Sequence, residues 1–353
     1  MNRIDRSTPA GYTMARLTTR VLRAGIQEGA MHQFPRPRVV VSRCLTFDHC
    51  RWNGAIISSE IVELLKPHVD FAPVCPEVEI GLGVPRDPIN VVSENGELRL
   101  LQPATGRDVS QEMRAFAANY LDGIGVVDGF ILKSRSPSCG IKDVKIHAAG
   151  RSGPAATGAG FFGAAVLERF PHLPVEDEGR LTNFALREHF LTRLFTLARF
   201  RQVRNAGAIG ALVEFQTRNK LLLMAYHQER MRAMGRILAA HGRLPAHEVF
   251  AQYERELWAA LGRMPRRTAY INVWMHAFGY VSQHLTSQEK AYFLGLLDTY
   301  RAGKVPVSVP IHVMRAWIVR FQEPYLMGQT CFEPYPPELV EITDSGQGRK
   351  LKG

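Results

Sequence analysis

The sequence has little cysteine, five in 353 residues, and no two of them stand in a C-x2-C pair. That scarcity argues against a disulfide scaffold and against a structural zinc ribbon. It also lacks any apolar run near the roughly 20 residues that a membrane helix needs, since residues 221–226 are bracketed by Lys220 and His227. No spanning helix is expected. Residues 1–30 carry Arg16, Arg20, Arg23 and Glu28 in place of the apolar centre of a secretory signal, so a reducing, cytoplasmic setting is expected. What is present, 46% hydrophobic and 22% charged residues, is ordinary globular composition with material for two domains.

The formal net charge is +11 and is unevenly distributed: residues 36–170 are neutral, whereas residues 171–353 carry +8. A basic module attached to a neutral one favours an anionic macromolecule as partner. Within it, arginines cluster at Arg230, Arg232 and Arg236, at Arg263, Arg266 and Arg267, and around Arg315 and Arg320.

Residues 1–35 show no clear period and read as an N-terminal arm, either disordered or preceding a true start at Met31. Over residues 36–170, β-rich runs (39–42, 69–74, 128–133) alternate with helix-compatible stretches (58–65, 110–121), and a glycine-rich run leads into a helix at 161–170. This rhythm predicts an α/β, Rossmann-like domain with a mainly parallel sheet. Pro171 and Pro174 mark its end. Residues 171–353 then predict an all-α domain, with helices over 181–203, 212–241, 245–261, 269–285, 287–302 and 310–327. Thr286 and Glu289 have capping-box spacing, and Gly262 and Gly303 suit helix ends.

Cys44, Cys75 and Cys139 each follow a predicted strand. In a parallel sheet those ends share one edge, so the three thiols are expected to converge although they lie 31 and 64 residues apart. Ordinary buried thiols, a zinc site and an iron–sulfur mount are the readings open to them. Cys50 stands in the loop after Cys44, and Cys331 lies far off in the helical half. The glycines Gly158, Gly160 and Gly163 imitate a dinucleotide fingerprint but come too late in the domain; a tight connection near the site is expected, with no nicotinamide cofactor. Tyr226, His227, Trp274, His276 and Tyr280 read as core packing, or as base-stacking groups if exposed.

VSRCL, CRWNG, VCPE, GLGVPR, GRDVS and LKSRSPSCG, in that order over residues 36–165, resemble the TudS family of thiouracil desulfidases. The resemblance implies a [4Fe-4S] cluster held by Cys44, Cys75 and Cys139 with one iron open to the substrate sulfur. It also implies a catalytic carboxylate at Glu77 and an active-site serine at Ser136. Around Cys50 the chain departs from the family pattern: Thr46 and Phe47 follow Leu45, and Trp52 and Asn53 precede Gly54. Residues 185–340, with NKLLLMAYHQERM, INVWMHAFGY and PYLMGQTCFEPYP, resemble the YbgA-like domain. Fusions of the two resemble RudS-like desulfidases, which implies thiolated tRNA as partner and hydrolytic conversion of 4-thiouridine to uridine and sulfide.

Lys133 and Arg135, at the end of the third strand, read either as contacts to a substrate phosphate or base oxygen or as solvated charges. Two other functions fit the same residues. One is desulfidation of free thiouracil or thionucleosides, and the other is a non-enzymatic iron–sulfur RNA-binding protein.

Overall fold

The computed structural model describes residues 33–148 and 153–340. The proposed arm thus lies, up to residue 32, outside the described residues. The chain begins with β1 (Arg38–Ser42), α1 (Glu60–Leu65), β2 (Asp70–Val74) and the one-turn α2 (Pro76–Glu79). Then come β3 (Asn90–Glu94), β4 (Glu97–Gln102), β5 (Arg107–Asp108), α3 (Ser110–Gly123), β6 (Gly129–Leu132), β7 (Val144–Ala148), β8 (Pro154–Gly158), α4 (Phe161–Arg169) and β9 (Val175–Asp177).

The first sheet has the order β2-β1-β6-β9, with every pairing parallel. The unbroken valines of β1 suit a strand covered on both faces. Successive side chains alternate sides: Val39 and Val41, with Ile131 of β6, pack with α1, while Val40, Phe130 and Leu132 pack with α3 and α4. The parallel sheet carries the three expected strands and adds β9, which lies beyond the domain end expected at Pro171 and Pro174 because its backbone completes the sheet beside β6. A second sheet, β5-β4-β3-β7-β8, is largely antiparallel and extends beyond that expectation. Its hairpin turns on Asn95 and Gly96, both at positive φ (51° and 84°), the pair that a two-residue turn between twisted strands favours.

Helices follow: α5 (Phe184–Ala206), α6 (Ile209–Arg218), α7 (Lys220–Ala239), α8 (Ala246–Leu261), α9 (Arg267–Val281), α10 (Ser287–Arg301), α11 (Ser308–Phe321) and the short α12 (Pro324–Met327). The fold is therefore an α/β domain with a parallel sheet followed by a mostly helical one. The single helix expected over 212–241 is interrupted twice, at Asn219 and, within α7, by a kink at His227 (φ −161°, ψ 96°). Buried Asn219 ends α6 by donating its side-chain amide to Phe215 O (2.8 Å) while its Oδ1 accepts from Thr330 Oγ1 (2.7 Å). The helix expected over 310–327 is likewise interrupted, at Gln322 in the left-handed region. Thr286 and Glu289 form the expected capping box on α10.

Helix α5 belongs to both halves. Phe190, Leu191, Leu194 and Phe195 pack with β1 and α1, whereas Leu197 and Phe200 join the core of the helical half. Arg201 grips buried Asp128, just before β6, with two bonds of 2.8 Å, and Asp128 also accepts from Arg38 N. Among the described residues, no helix is long and apolar enough to cross a membrane.

Candidate active site

Because the first sheet is parallel, the loops after β1, β2 and β6 leave it at one edge. They enclose a cavity of about 370 Å³ lined by Cys44, Cys50, Cys75 and Cys139, with Glu77, Arg86, Ser136 and Ser138. Cys331 lies elsewhere, buried in the helical core.

Cys75 precedes the turn of α2, its backbone carbonyl accepting from Val78 N (3.1 Å) and Glu79 N (3.0 Å), with Pro76 in the first helical position, and that turn carries Glu77 into the cavity wall. Glu77 is held at both oxygens. Arg86 donates from Nε (2.9 Å) and Nη2 (2.8 Å) to Oε2, and Ser138 Oγ donates to Oε1 at 2.5 Å. Arg86, its side chain only 4% exposed, also donates to Gly83 O (2.7 Å) and Cys50 O (3.0 Å), so one guanidinium ties the loops of Glu77 and Cys50 together.

Ser136 lies one step behind. Its Oγ accepts from the amides of Ser138 (3.3 Å) and Cys139 (3.1 Å), which orders the turn leading to Cys139. A serine hydroxyl has one proton, and Ser138 gives its own to Glu77. The 3.0 Å contact between the two hydroxyls therefore has Ser136 donating, which makes a relay from Ser136 through Ser138 to Glu77.

Helix α4 closes the site from below. The amides of Gly160, Phe161 and Gly163 donate to Gly140 O (2.7 Å), Pro137 O (3.1 Å) and Ser138 O (2.9 Å). A Cβ on Gly163 would stand 2.3 Å from Gly140 O and 2.8 Å from Cys139 O. These glycines let a helix lie directly on the cysteine loop, as a tight connection requires. Lys133 turns away from the expected phosphate contact to bond Glu178 Oε1 (2.5 Å) and Ser134. Arg135 remains on the cavity wall.

The thiols are close-set. Contact with Cys44 and burial push Cys50 up to about 11, contact with Cys50 and burial raise Cys75, and burial pushes Cys139 up to about 12. Among the described residues no three His, Cys, Asp or Glu side chains are grouped to hold a metal ion. A lone zinc needs its sulfur donors about 2.3 Å from one point. A polynuclear cluster instead presents irons at separate corners, and its preferred donors are soft thiolates. The donor set around this cavity fits the second case.

Residues 39–178 match the family model described as 2-thiouracil desulfurase. The uncharacterised protein YbbK of Bacillus subtilis (strain 168) is 33% identical over 109 residues, 29% of this chain and 72% of that protein. In its first half the chain belongs to the 2-thiouracil desulfurase family. Membership supports a desulfidase-type activity for this domain.

Residues 220–336 match a second model, a protein family of unknown function (DUF1722). The uncharacterised protein YbgA of Escherichia coli (strain K12) is 28% identical over 158 residues, 44% of this chain and 93% of that protein. The architecture is thus a desulfurase-like domain fused to a YbgA-like domain. A solved structure titled [4Fe-4S]-dependent thiouracil desulfidase TudS is 26% identical and covers 43% of this chain and 98% of that one, with a TM-score of 0.33.

Arg86 and Ser138, the two direct partners of Glu77, were not distinguished by sequence reading. Ser138 had a readable signal in its place beside Cys139, whereas Arg86 reaches Glu77 only through the folding of the intervening loop.

Proposed function

We propose that the chain is a RudS-like tRNA 4-thiouridine desulfidase that replaces the thiocarbonyl sulfur by oxygen. The observation that carries this reading is the meeting of Cys44, Cys75 and Cys139 with Glu77 in one cavity of a desulfurase-family domain. Cys44, Cys75 and Cys139 would hold a [4Fe-4S] cluster. Bound there, the cluster supplies a Lewis-acidic iron for the soft sulfur and favours attack at the ring carbon.

The rest is done by the chain's own groups. Glu77 takes a proton from the attacking water, with Arg86 and Ser138 fixing the plane of its carboxylate. Ser136 feeds the same network and orders the Cys139 turn. The sum is water plus thiocarbonyl giving carbonyl plus hydrogen sulfide, with no net electron transfer. In the proposed division of labour, residues 36–170 carry the chemistry and residues 171–353, with their +8 charge, hold the RNA.

The test is anaerobic purification with iron and sulfide reconstitution, followed by nucleoside analysis of thiolated tRNA. Loss of 4-thiouridine matched by uridine and sulfide is expected. Intact 4-thiouridine at full cluster occupancy would overturn the reading.

A further inference from the structure

Five basic side chains line the cavity: Arg43, Arg51, Arg86, Lys133 and Arg135. Three are already engaged by carboxylates, Arg43 by Glu79, Arg86 by Glu77 and Lys133 by Glu178. Arg51 and Arg135 have no carboxylate or side-chain hydrogen-bond partner among the described residues. Arg135 is exposed and sits at φ 59°, a left-handed conformation uncommon for residues other than glycine, asparagine and aspartate.

The same cavity wall carries Trp52, 44% exposed. The indole stands on a pinned turn: Gly54 N donates to Arg51 O (2.9 Å), and Arg86 N donates to Trp52 O (2.7 Å). Gly54, at φ +71°, permits the reversal. An exposed large aromatic group on fixed backbone, beside two uncommitted guanidiniums, is the chemistry that recognises a nucleotide strand. Phosphodiesters take the cations and a base face takes the ring. A free base has neither a phosphate nor a neighbouring base with which to use them.

We infer that the cavity mouth takes a nucleotide within an RNA strand: the thiolated base enters the cavity, the phosphates beside it meet Arg51 and Arg135, and Trp52 stacks on the adjoining base. The inference rests on the desulfidase reading of the cavity and places strand recognition in the desulfurase domain itself, in addition to the basic helical half.

Two measurements on the full chain separate the possibilities. The first is the anisotropy of a short single-stranded RNA containing uridine in place of 4-thiouridine, titrated with protein across salt concentrations. Trp52→Ala is expected to weaken binding about tenfold or more, with most of the affinity restored in Trp52→Phe. Arg51→Gln and Arg135→Gln are each expected to lower the salt slope by about 0.7. The second is sulfide release by the iron-reconstituted protein from the 4-thiouridine strand and from free 4-thiouracil. KM for the strand should rise in these variants with kcat retained. Unchanged affinity and slope would overturn the inference, as would an equal loss on strand and free base. If the parent protein released sulfide from neither substrate, the desulfidase reading would fall, while the binding titration would still decide the role of the mouth.

Discussion

At the scale of single residues, Glu77, Ser138 and Ser136 form one chain of bonds with different expected sensitivities. Glu77→Gln keeps the shape and removes the base, so sulfide release should fall by about 10²–10⁴ at unchanged iron content. Ser138→Ala removes the donor to Oε1 and the acceptor of the Ser136 hydroxyl but leaves the Cys139 amide bonded; about tenfold slower turnover with full iron content is expected. Ser136→Ala also strips the acceptor from the Cys139 amide, so iron content itself should drop. Iron analysis beside initial rates distinguishes the three, and equal iron loss in all of them would show a merely structural network. That Cys44, Cys75 and Cys139 converge was legible in the sequence, because strand ends of a parallel sheet share an edge. The pairing of Arg86 with Glu77 and of Lys133 with Glu178 was not, because long side chains choose partners that only the folded loops bring near.

Among elements, α4 and α5 are the informative ones. Gly163→Ala would drive a methyl group into two carbonyl oxygens of the cysteine loop, and a loss of about 1–3 kcal/mol in stability is expected, together with reduced iron uptake. Gly279→Ala is the control. It lies within α9 with no neighbour within 4 Å of a new Cβ, so thermal denaturation should show a gain of about 0.5–1 kcal/mol. On α5, burial pushes Glu188 up to about 7, and Tyr226, Tyr270, Tyr300 and Tyr335 lie near enough to feel its charge. Unfolded, this carboxyl ionises near its ordinary value of about 4.3. Its contribution to stability is therefore present at low pH and is lost as pH rises through 7. Glu188→Gln should raise the melting temperature at pH 8 and leave it little changed at pH 4. An equal shift at both would exclude titration as the cause. Periodicity had marked most of the helices. It missed the stop at Asn219, where a buried amide bonds a residue more than a hundred positions away, and it missed the hairpin of the second sheet although Asn95–Gly96 announces it.

For the whole molecule, charge placement is the variable. Arg263, Arg266 and Arg267 are exposed, and none has a carboxylate partner among the described residues. Arg230, Arg315 and Arg320 are engaged with Glu256, Glu333 and Glu289. Replacing the three free arginines by glutamine should weaken tRNA binding and flatten its salt dependence at unchanged iron content. Titration of tRNA at several salt concentrations checks this, and an unchanged slope would move the contact to another face.

Helix α5, whose 23 residues span about 35 Å, has its sides committed to two different cores. Neither core closes without it, and the Arg201–Asp128 fork rivets it to the sheet. Melting of one half would strip cover from the other, so heating should give a single calorimetric transition rather than two. A gene cut at Pro171 would leave the first sheet without the aromatic side chains of α5. The fusion has become a shared foundation: to free the desulfurase domain from its neighbour, a replacement for that wall would have to be designed first.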